Sequence, residues 1–462
     1  MNDEKYEMLL NVLDKAENGP VLDENEWDKK YIGETVRNLI SKYDIKWSLK
    51  DQFIVSTYDN LADRAFEAGM ELAREIGVYC VDTKRQMKFS RQELEKSLAI
   101  LPKEITAGTG KDTVTVYKRN PEDPKRVAIW GGPFGVPVAE ELFKPMMECY
   151  AREPLIDILD NVSLLTTHGR PIRAGAPTEA VAGWQEAVTT LELIDRVGRP
   201  GLPLGCGSNA TTEVGDLANT TYGGFRPTDV HKLSFISEQK TAYHHLTKAV
   251  HFAQTNSLTE IFCNTMFGGF MGGESGVVIG VVSGLILLNA CYLGDIPNSG
   301  PTHVHLSCST HPGIVSAMSI GFQALSRNTN LLIAAHTRPT AGPGTKDIFR
   351  ETAAYLIANV VSGASVVNCT QSAVGNNIGH ASPLEVRFGA QVAHSAQGLS
   401  RKEADKIVRD LVGKFADIQK EKRIGKLFTE VYDLKSLTPT PEWQAMYEET
   451  CEEMRSNYGL KM

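Results

Sequence analysis

From residue 127 to residue 371 the chain repeats one pattern. A short apolar or β-branched run is followed by a longer stretch with helical spacing. The runs are VAIWG (127–131), VSLLTT (162–167), LPLGCGS (202–208), KLSFISE (232–238), EIFCNTM (260–266), THVHLSC (302–308), LLIAAHT (331–337) and SVVNCTQ (365–371). Segments such as PTEAVAGWQEAVTTLELIDRVG and KDIFRETAAYLIANVVSG stand between them. Runs this short with β-branched content read as strands, and the intervening apolar periodicity near 3.6 reads as helix. Eight strands alternating with helices predict an α/β TIM (β/α)8 barrel. An open doubly wound sheet is the competitor, but the first strand is followed by GGPFGVP, which lacks the G-x-G-x-x-G fingerprint.

The flanks carry other patterns. Residues 1–120 predict a mainly helical extension. LADRAFEAGMELAREIG has helical periodicity, and SRQELEKSLAIL opens with Ser90 and Glu93 in capping-box spacing. TVTVYKR (113–119) alternates as a strand does, and NPEDPKR (120–126) marks a boundary. The barrel is assigned to 121–400, and 401–462 to a charged helical segment packed on it. GVVIGVVSGLILLNACYLGD (276–295) is apolar enough to suggest a membrane span. Its glycines, Ser283 and Asn289 predict a buried barrel helix instead.

Composition narrows the function. The chain has 462 residues, 42% of them hydrophobic, and a formal charge of −8 without any Lys/Arg block, which argues against nucleic acid as a partner. The acidic N-terminus has no apolar signal segment, and eight cysteines lack framework spacing, so reduced thiols in a cytoplasm are expected.

Barrel chemistry sits at the C-terminal strand ends. The third run offers Cys206 and Asn209; the fourth, Lys232, Phe235 and Glu238; the fifth, Phe262 and Asn264, then a Gly-rich loop with Phe267 and Phe270. The sixth offers His303, His305 and Cys308, with His311 beyond; the seventh, His336 and Arg338; the eighth, Asn368 and Gln371. Alternation places His303 with His305 on one face, and His336 with Arg338 on one face. Several of these residues also have ordinary structural readings. A His-x-His pair is commonly hydrogen-bonded structure, and no bound metal is expected. Cys206 reads first as a small buried hydrophobe. Lys232, at the start of its run, is assigned to the far end of the barrel as a solvated charge. Arg338 ends a strand before a Pro/Gly loop, where a buried guanidinium calls for an anion or an ion pair.

The order and spacing of several motifs resemble the monomethylamine:corrinoid methyltransferases of methanogens over nearly the whole chain. The motifs are EIGVYCVDT (75–83), AGTGKDTVTVYKR (107–119), GGPFGVPVAEELFKPM (131–146), GRPGLPLGCG (198–207), FGGFMGGESG (267–276), SGPTHVHLSCST (299–310), TAGPGTKD (340–347) and YDLKSLTPTPEW (432–443). The resemblance implies a TIM barrel and an oligomer. It also implies methyl transfer from an amine to the Co(I) of a separate corrinoid protein, so the corrinoid is supplied by the partner and no cofactor is held tightly. In that family pyrrolysine activates the amine; the corresponding position here is read as Gly205. Lys232 and Phe262 replace family carboxylates, and His336 and Arg338 replace a Gln and a Tyr.

A chain without that electrophile suits a donor that carries its own leaving group. A quaternary ammonium leaves as a neutral amine. Phe262, Phe267, Phe270 and Tyr222 are candidate aromatic faces for such a cation. Asn264, His303, His305, Glu238 and Asn368 are further candidate substrate contacts. Arg338 with His336 is the candidate clamp for a zwitterion's carboxylate, and Cys206 and Gly205 complete the candidate reaction centre. Two alternatives remain open. Cys206 with His303 or His305 would hold zinc for an O- or S-methyl donor, or the chain binds its ligands without turnover.

Overall fold

The computed structural model describes residues 3–207 and 209–462. Eight parallel strands close into a barrel in sequence order. They are β1 (Ala128–Gly131), β2 (Ile158–Asp160), β3 (Leu204–Cys206), β4 (Val230–Ser234), β5 (Leu258–Cys263), β6 (Ile296–Ser299), β7 (Ala334–His336) and β8 (Val366–Cys369). A helix follows each: α1 (Glu140–Ala151), α2 (Pro177–Arg196), α3 (Glu213–Asn219), α4 (Tyr243–Gln254), α5 (Glu274–Tyr292), α6 (Pro312–Asn328), α7 (Asp347–Val361) and α8 (Pro383–Ala396). This is the (β/α)8 barrel that the alternating runs predict.

Two of the eight barrel strands lie on other residues than the runs predict. The second barrel strand is Ile158–Asp160, and the run at 162–167 forms two short outer strands. The sixth is Ile296–Ser299, and only Thr302–His303 of the later run is extended, paired with Met266–Phe267 beyond the barrel. In both cases the true strand reads like a turn: DILDN is short and acid-flanked, and DIPNSG carries Pro297 and Asn298. Parallel pairing from both sides overrides those local preferences. Ser208, at the end of the third run, lies outside the described residues.

The strands bury both faces, as closed parallel sheets must. Outward side chains join the large helical core, in which α5 is almost wholly buried; the apolar 276–295 segment is thus a core helix. Inward side chains form a separate small cluster, including Ala128, Trp130, Ile158, Val230, Ile296, Ala334 and Val366. An antiparallel hairpin, Glu104–Ala107 with Val114–Tyr117, adds Ile105, Ala107, Val114 and Val116 to that cluster and plugs the barrel at its N-terminal end. The strand expected at 113–119 is therefore part of a stopper, and the pocket lies at the opposite end of the barrel. The helix Arg91–Ala99 begins with the Ser90–Glu93 capping box, formed in both directions.

Candidate active site

Strand alternation decides what the barrel interior contains. Above the apolar layer, Trp130, Asp160, Gly205, Lys232, Glu260, Asn298 and Asn368 sit at inward positions. Neighbouring strands put Lys232 opposite Glu260, Gly205 opposite Asp160 and Asn368 opposite both Trp130 and His336. One turn of the pleat further on come Ser234, Phe262 and His336. A pocket of about 430 Å³ opens above this layer, lined by Lys232, Glu260, Phe262, His336, Asn368 and Phe134 among others.

The layer beneath the pocket is a bonded set of charges. Lys232 Nζ is ion-paired to Asp160 Oδ1, and Asn368 Nδ2 donates to Asp160 Oδ2 at 3.1 Å. The same ammonium stands 3.6 Å from the centroid of the Phe134 ring. Asn298 Nδ2 donates to Glu260 Oε1. Burial raises the Asp160 carboxyl, an effect that Lys232 opposes. Burial also lifts Glu260 to about 7, again opposed by Lys232. Lys232 is thus no solvated charge at the far end of the barrel. β4 begins at Val230, two residues before the run that marked it, so Lys232 is mid-strand and points inward.

Gly205 is held small by these neighbours. A Cβ there would lie 2.2 Å from Asp160 Oδ1 and 2.6 Å from Trp130 Nε1. The glycine makes room for the carboxylate and indole, and it supplies no reacting group itself. Cys206 points the other way, into the helical core, where its thiol donates to the Leu204 carbonyl at 3.4 Å. Burial raises that thiol well above the ordinary range, which removes it as a nucleophile.

His336 is buried at the pocket wall. Its Nε2 meets Gln371 Oε1 at 2.8 Å, and Phe262 and Phe134 pack edge-on at 5.4 and 5.9 Å. Burial, with Arg338 nearby, pushes the imidazole down to about 3, so it is neutral. Arg338 does not line the pocket. Its Nε donates to the same Gln371 oxygen at 2.7 Å and one Nη to Thr302 Oγ1 at 2.9 Å. Thr302 Oγ1 in turn donates to Asn264 Oδ1 at 2.9 Å. Among the described residues no carboxylate pairs with Arg338, and burial lowers the guanidinium to about 10.

Other candidates do not converge on the pocket. Tyr222 is fully exposed, at 102%, and Phe270 is 46% exposed. Glu238 is buried and accepts the Met266 N–H at 3.0 Å, a structural contact. Phe267, His303, His305 and His311 form a ring cluster of their own, with Phe267 5.3 Å from His303 and His303 4.8 Å from His311. Their β6 placement fails because that strand ends at Ser299, so alternation along 302–308 places nothing in the barrel. Nδ1 of His303 caps the N–H of His305 and Leu306, and Nδ1 of His311 caps Gly313. Among the described residues no three His, Cys, Asp or Glu side chains are grouped as a metal site requires. The zinc alternative built on Cys206 and these histidines therefore lacks its ligand set.

Asp160, Glu260, Asn298 and Phe134 were not singled out from sequence. Asp160 lies on the strand whose run was misplaced, and Glu260 opens a run and reads as a strand-start charge. On the pocket's outer side, His244 and His245 pack ring to ring at 3.9 Å, and Lys248 is paired with Asp216 at 2.8 Å.

Residues 8–460 match the family model described as monomethylamine methyltransferase MtmB. The chain is 28% identical to monomethylamine methyltransferase MtmB2 of Methanosarcina acetivorans over 439 residues, 94% of each protein. It is 27% identical to monomethylamine methyltransferase MtmB of Methanosarcina mazei over the same share. The crystal structure of the Methanosarcina barkeri monomethylamine methyltransferase superposes with a TM-score of 0.95 over 98% of both chains, at 26% identity. The crystal structure of a hydroxylamine MtmB complex matches equally well, with a TM-score of 0.95 at 26% identity over 98% of both chains.

Proposed function

Because the chain belongs to the monomethylamine methyltransferase family, we propose that it transfers a methyl group from a methylated ammonium compound to the Co(I) of a corrinoid protein. The donor is a quaternary amine, in its best-fitting form a zwitterion with a carboxylate. The corrinoid is the partner's group and enters as co-substrate. The C–N bonding pair leaves with the amine, the methyl carbon bonds to cobalt, and Co(I) becomes Co(III). A quaternary donor departs as a neutral amine, so no electrophile is needed to activate it.

The observation that carries this reading is the crowded glycine. Gly205 faces Asp160 and Trp130 at distances that admit no side chain, and the adjacent thiol is turned away and protonated. The pocket therefore offers orientation and dryness more than covalent activation. Phe262 supplies an aromatic surface for N-methyl groups, while the Phe134 ring is already covered by Lys232. A neutral His336 adds no repulsion. Arg338 lies behind Gln371, outside the pocket lining, with neutral acceptors only among the described residues, so the carboxylate of a zwitterionic donor would reach it by displacing Gln371. All eight cysteines are free, which suits a reducing cytoplasm in which Co(I) persists.

The test is methylation of cob(I)alamin by the purified protein, followed by absorbance. Glycine betaine, tetramethylammonium, mono- to trimethylamine, methanol and dimethyl sulfide are offered separately. Turnover with a quaternary amine and none with monomethylamine is expected. Turnover with monomethylamine alone overturns the donor assignment, and no turnover with any donor favours a binding protein.

A further inference from the structure

Three ionisable side chains share the dry floor of the barrel, and their charges do not balance. Among the described residues Lys232 is the one cation there, and Asp160 and Glu260 are two carboxylates. Lys232 is committed to Asp160 and forms no ion pair with Glu260, although the two stand in register on adjacent strands. Among the described residues Glu260 receives one bond, from Asn298, on Oε1, and its Oε2 accepts none; the residue lines the pocket. Phe262, two residues on along the same face, stands directly above. With both carboxylates ionised the floor carries one uncompensated negative charge in a low-dielectric site. One proton on Glu260 neutralises it. An ammonium group held between Oε2 and Phe262 would do the same.

We propose that Glu260 is the cation-selecting carboxylate of this pocket, and that an entering methylated ammonium displaces its proton. This rests on the methylated-ammonium reading above. The neighbouring groups fit it. From β4 comes Lys232, from β2 Asp160, from β6 the neutral Asn298, and from β7 His336, which stays uncharged near neutrality. Around the rim, His245 is pushed down to about 3 by burial and Lys248 is compensated by Asp216. Glu260 is thus the floor group whose charge can change near pH 7, where burial has placed its titration. The proton goes to solvent as the cation enters, and no bond other than O–H is broken.

The linkage has a definite sign. Below the Glu260 titration the cation must expel a proton, so its apparent Kd worsens about tenfold per pH unit of acidification; above it the Kd is flat. The experiment is calorimetric titration of the full chain with choline and with its uncharged isostere 3,3-dimethylbutan-1-ol. Buffers of different ionisation enthalpy at pH 6 and pH 9 count the protons released. Choline is expected to release close to one proton at pH 6 and almost none at pH 9. The alcohol should bind at least tenfold more weakly and release none. Glu260→Gln should abolish the release and erase the preference for choline. If that variant does not fold, the wild-type buffer comparison and Glu260→Asp carry the same readouts. Choline binding without proton release at pH 6, no choline binding at all, or an undiminished preference in Glu260→Gln overturns the proposal. Methyl transfer from quaternary donors without proton release would sink this inference alone. Proton-linked choline binding with no methyl transfer from any donor would leave Glu260 in place and sink the methyltransferase reading.

Discussion

Two regions of this molecule gather unusual polar side chains, and they do so for different reasons. The barrel floor holds Lys232, Asp160, Glu260, Asn298 and Asn368, all inward, with Asp160 fully buried. The outer cluster holds His303, His305 and His311 around Phe267, at the edge of a two-stranded sheet beyond the mouth. On the floor, charges are kept where solvation is costly, and each bond offsets a desolvation penalty of several kcal/mol per ion. In the outer cluster, histidines stack on an aromatic ring and cap backbone N–H groups, tasks that other polar residues perform elsewhere. Density of histidine is therefore a poor guide to chemistry here; burial of unlike charges is the better one.

The sharpest test of that contrast removes one member of the buried pair. Asp160→Ala strips Lys232 of its ion-pair partner inside the barrel, leaving it beside the Glu260 carboxylate, to which it is not bonded, and frees the Asn368 amide. A loss of about 3–5 kcal/mol in unfolding free energy is expected by denaturant titration. The double variant Asp160→Ala/Lys232→Met should recover much of that loss, since it removes both charges. Equal damage in the single and double variants would mean that the floor is held by shape and not by charge.

Arg338 connects the two regions, since it bonds Gln371 on the barrel side and Thr302 on the outer side. Arg338→Ala should lower kcat/KM for a carboxylate-bearing donor by the equivalent of about 2–4 kcal/mol, with the fold intact. Arg338→Lys keeps the charge but loses the fork, and should fall between. With tetramethylammonium the wild type and Arg338→Ala should be alike. If they differ as much as on betaine, the arginine serves structure, and the zwitterion assignment fails.

The pH dependence of stability sharpens the comparison further. Burial lifts Glu260 and Glu385 to about 7 and Glu238 to about 8. Each binds a proton in the folded chain that it has lost in the unfolded chain, so folding is favoured while that proton stays on. The buried histidines, His336 and His245 most strongly, shift downward and act oppositely, an effect that fades above their unfolded value near 6.5. Between pH 7 and 8 the carboxyls set the slope, and stability should fall on the order of 1 kcal/mol. Thermal melts across that window should show a falling Tm, with a shallower slope in Glu260→Gln. A rising Tm would show that these carboxyls are ionised in the native state.

The barrel was legible because its signal is repetition: eight apolar runs at barrel spacing survive two misplaced strands. The position of individual side chains was not, because each depends on where a strand begins. Reading the fourth run from Lys232 put that residue at the bottom of the barrel, whereas the strand starts at Val230 and brings it to the pocket. Reading the sixth run at Thr302 put two histidines in the barrel that lie beyond it, because Pro297 and Asn298 disguise the real strand. Asp160 was passed over for the same reason. Phe262, His336 and Asn368 do line the pocket, all on strands whose runs lie within a few residues of the real ones. The exposed Tyr222 had no periodic signal to place it, only its chemistry.

The smallest expected effect belongs to the outer histidines. His305 is exposed and His303 is partly so, and among the described residues neither has a charged partner. His303 Nδ1 accepts two backbone N–H groups at 3.2 and 3.3 Å, long contacts that water can replace at a surface. Burial lowers the His303 imidazole and His305 adds to the shift, so the ring is neutral where the enzyme would work and contributes no field to the pocket. His305→Ala should change stability by less than about 0.5 kcal/mol, as for most exposed substitutions. His303→Asn, which keeps a side-chain acceptor for the turn, should change kcat/KM by less than about twofold. Thermal melts and the cob(I)alamin assay measure both. A tenfold loss of methyl transfer in either variant, with an unchanged Tm, would show that this cluster touches a substrate or the corrinoid partner. Burial of charge would then have to share its place with surface histidines as the mark of the working site.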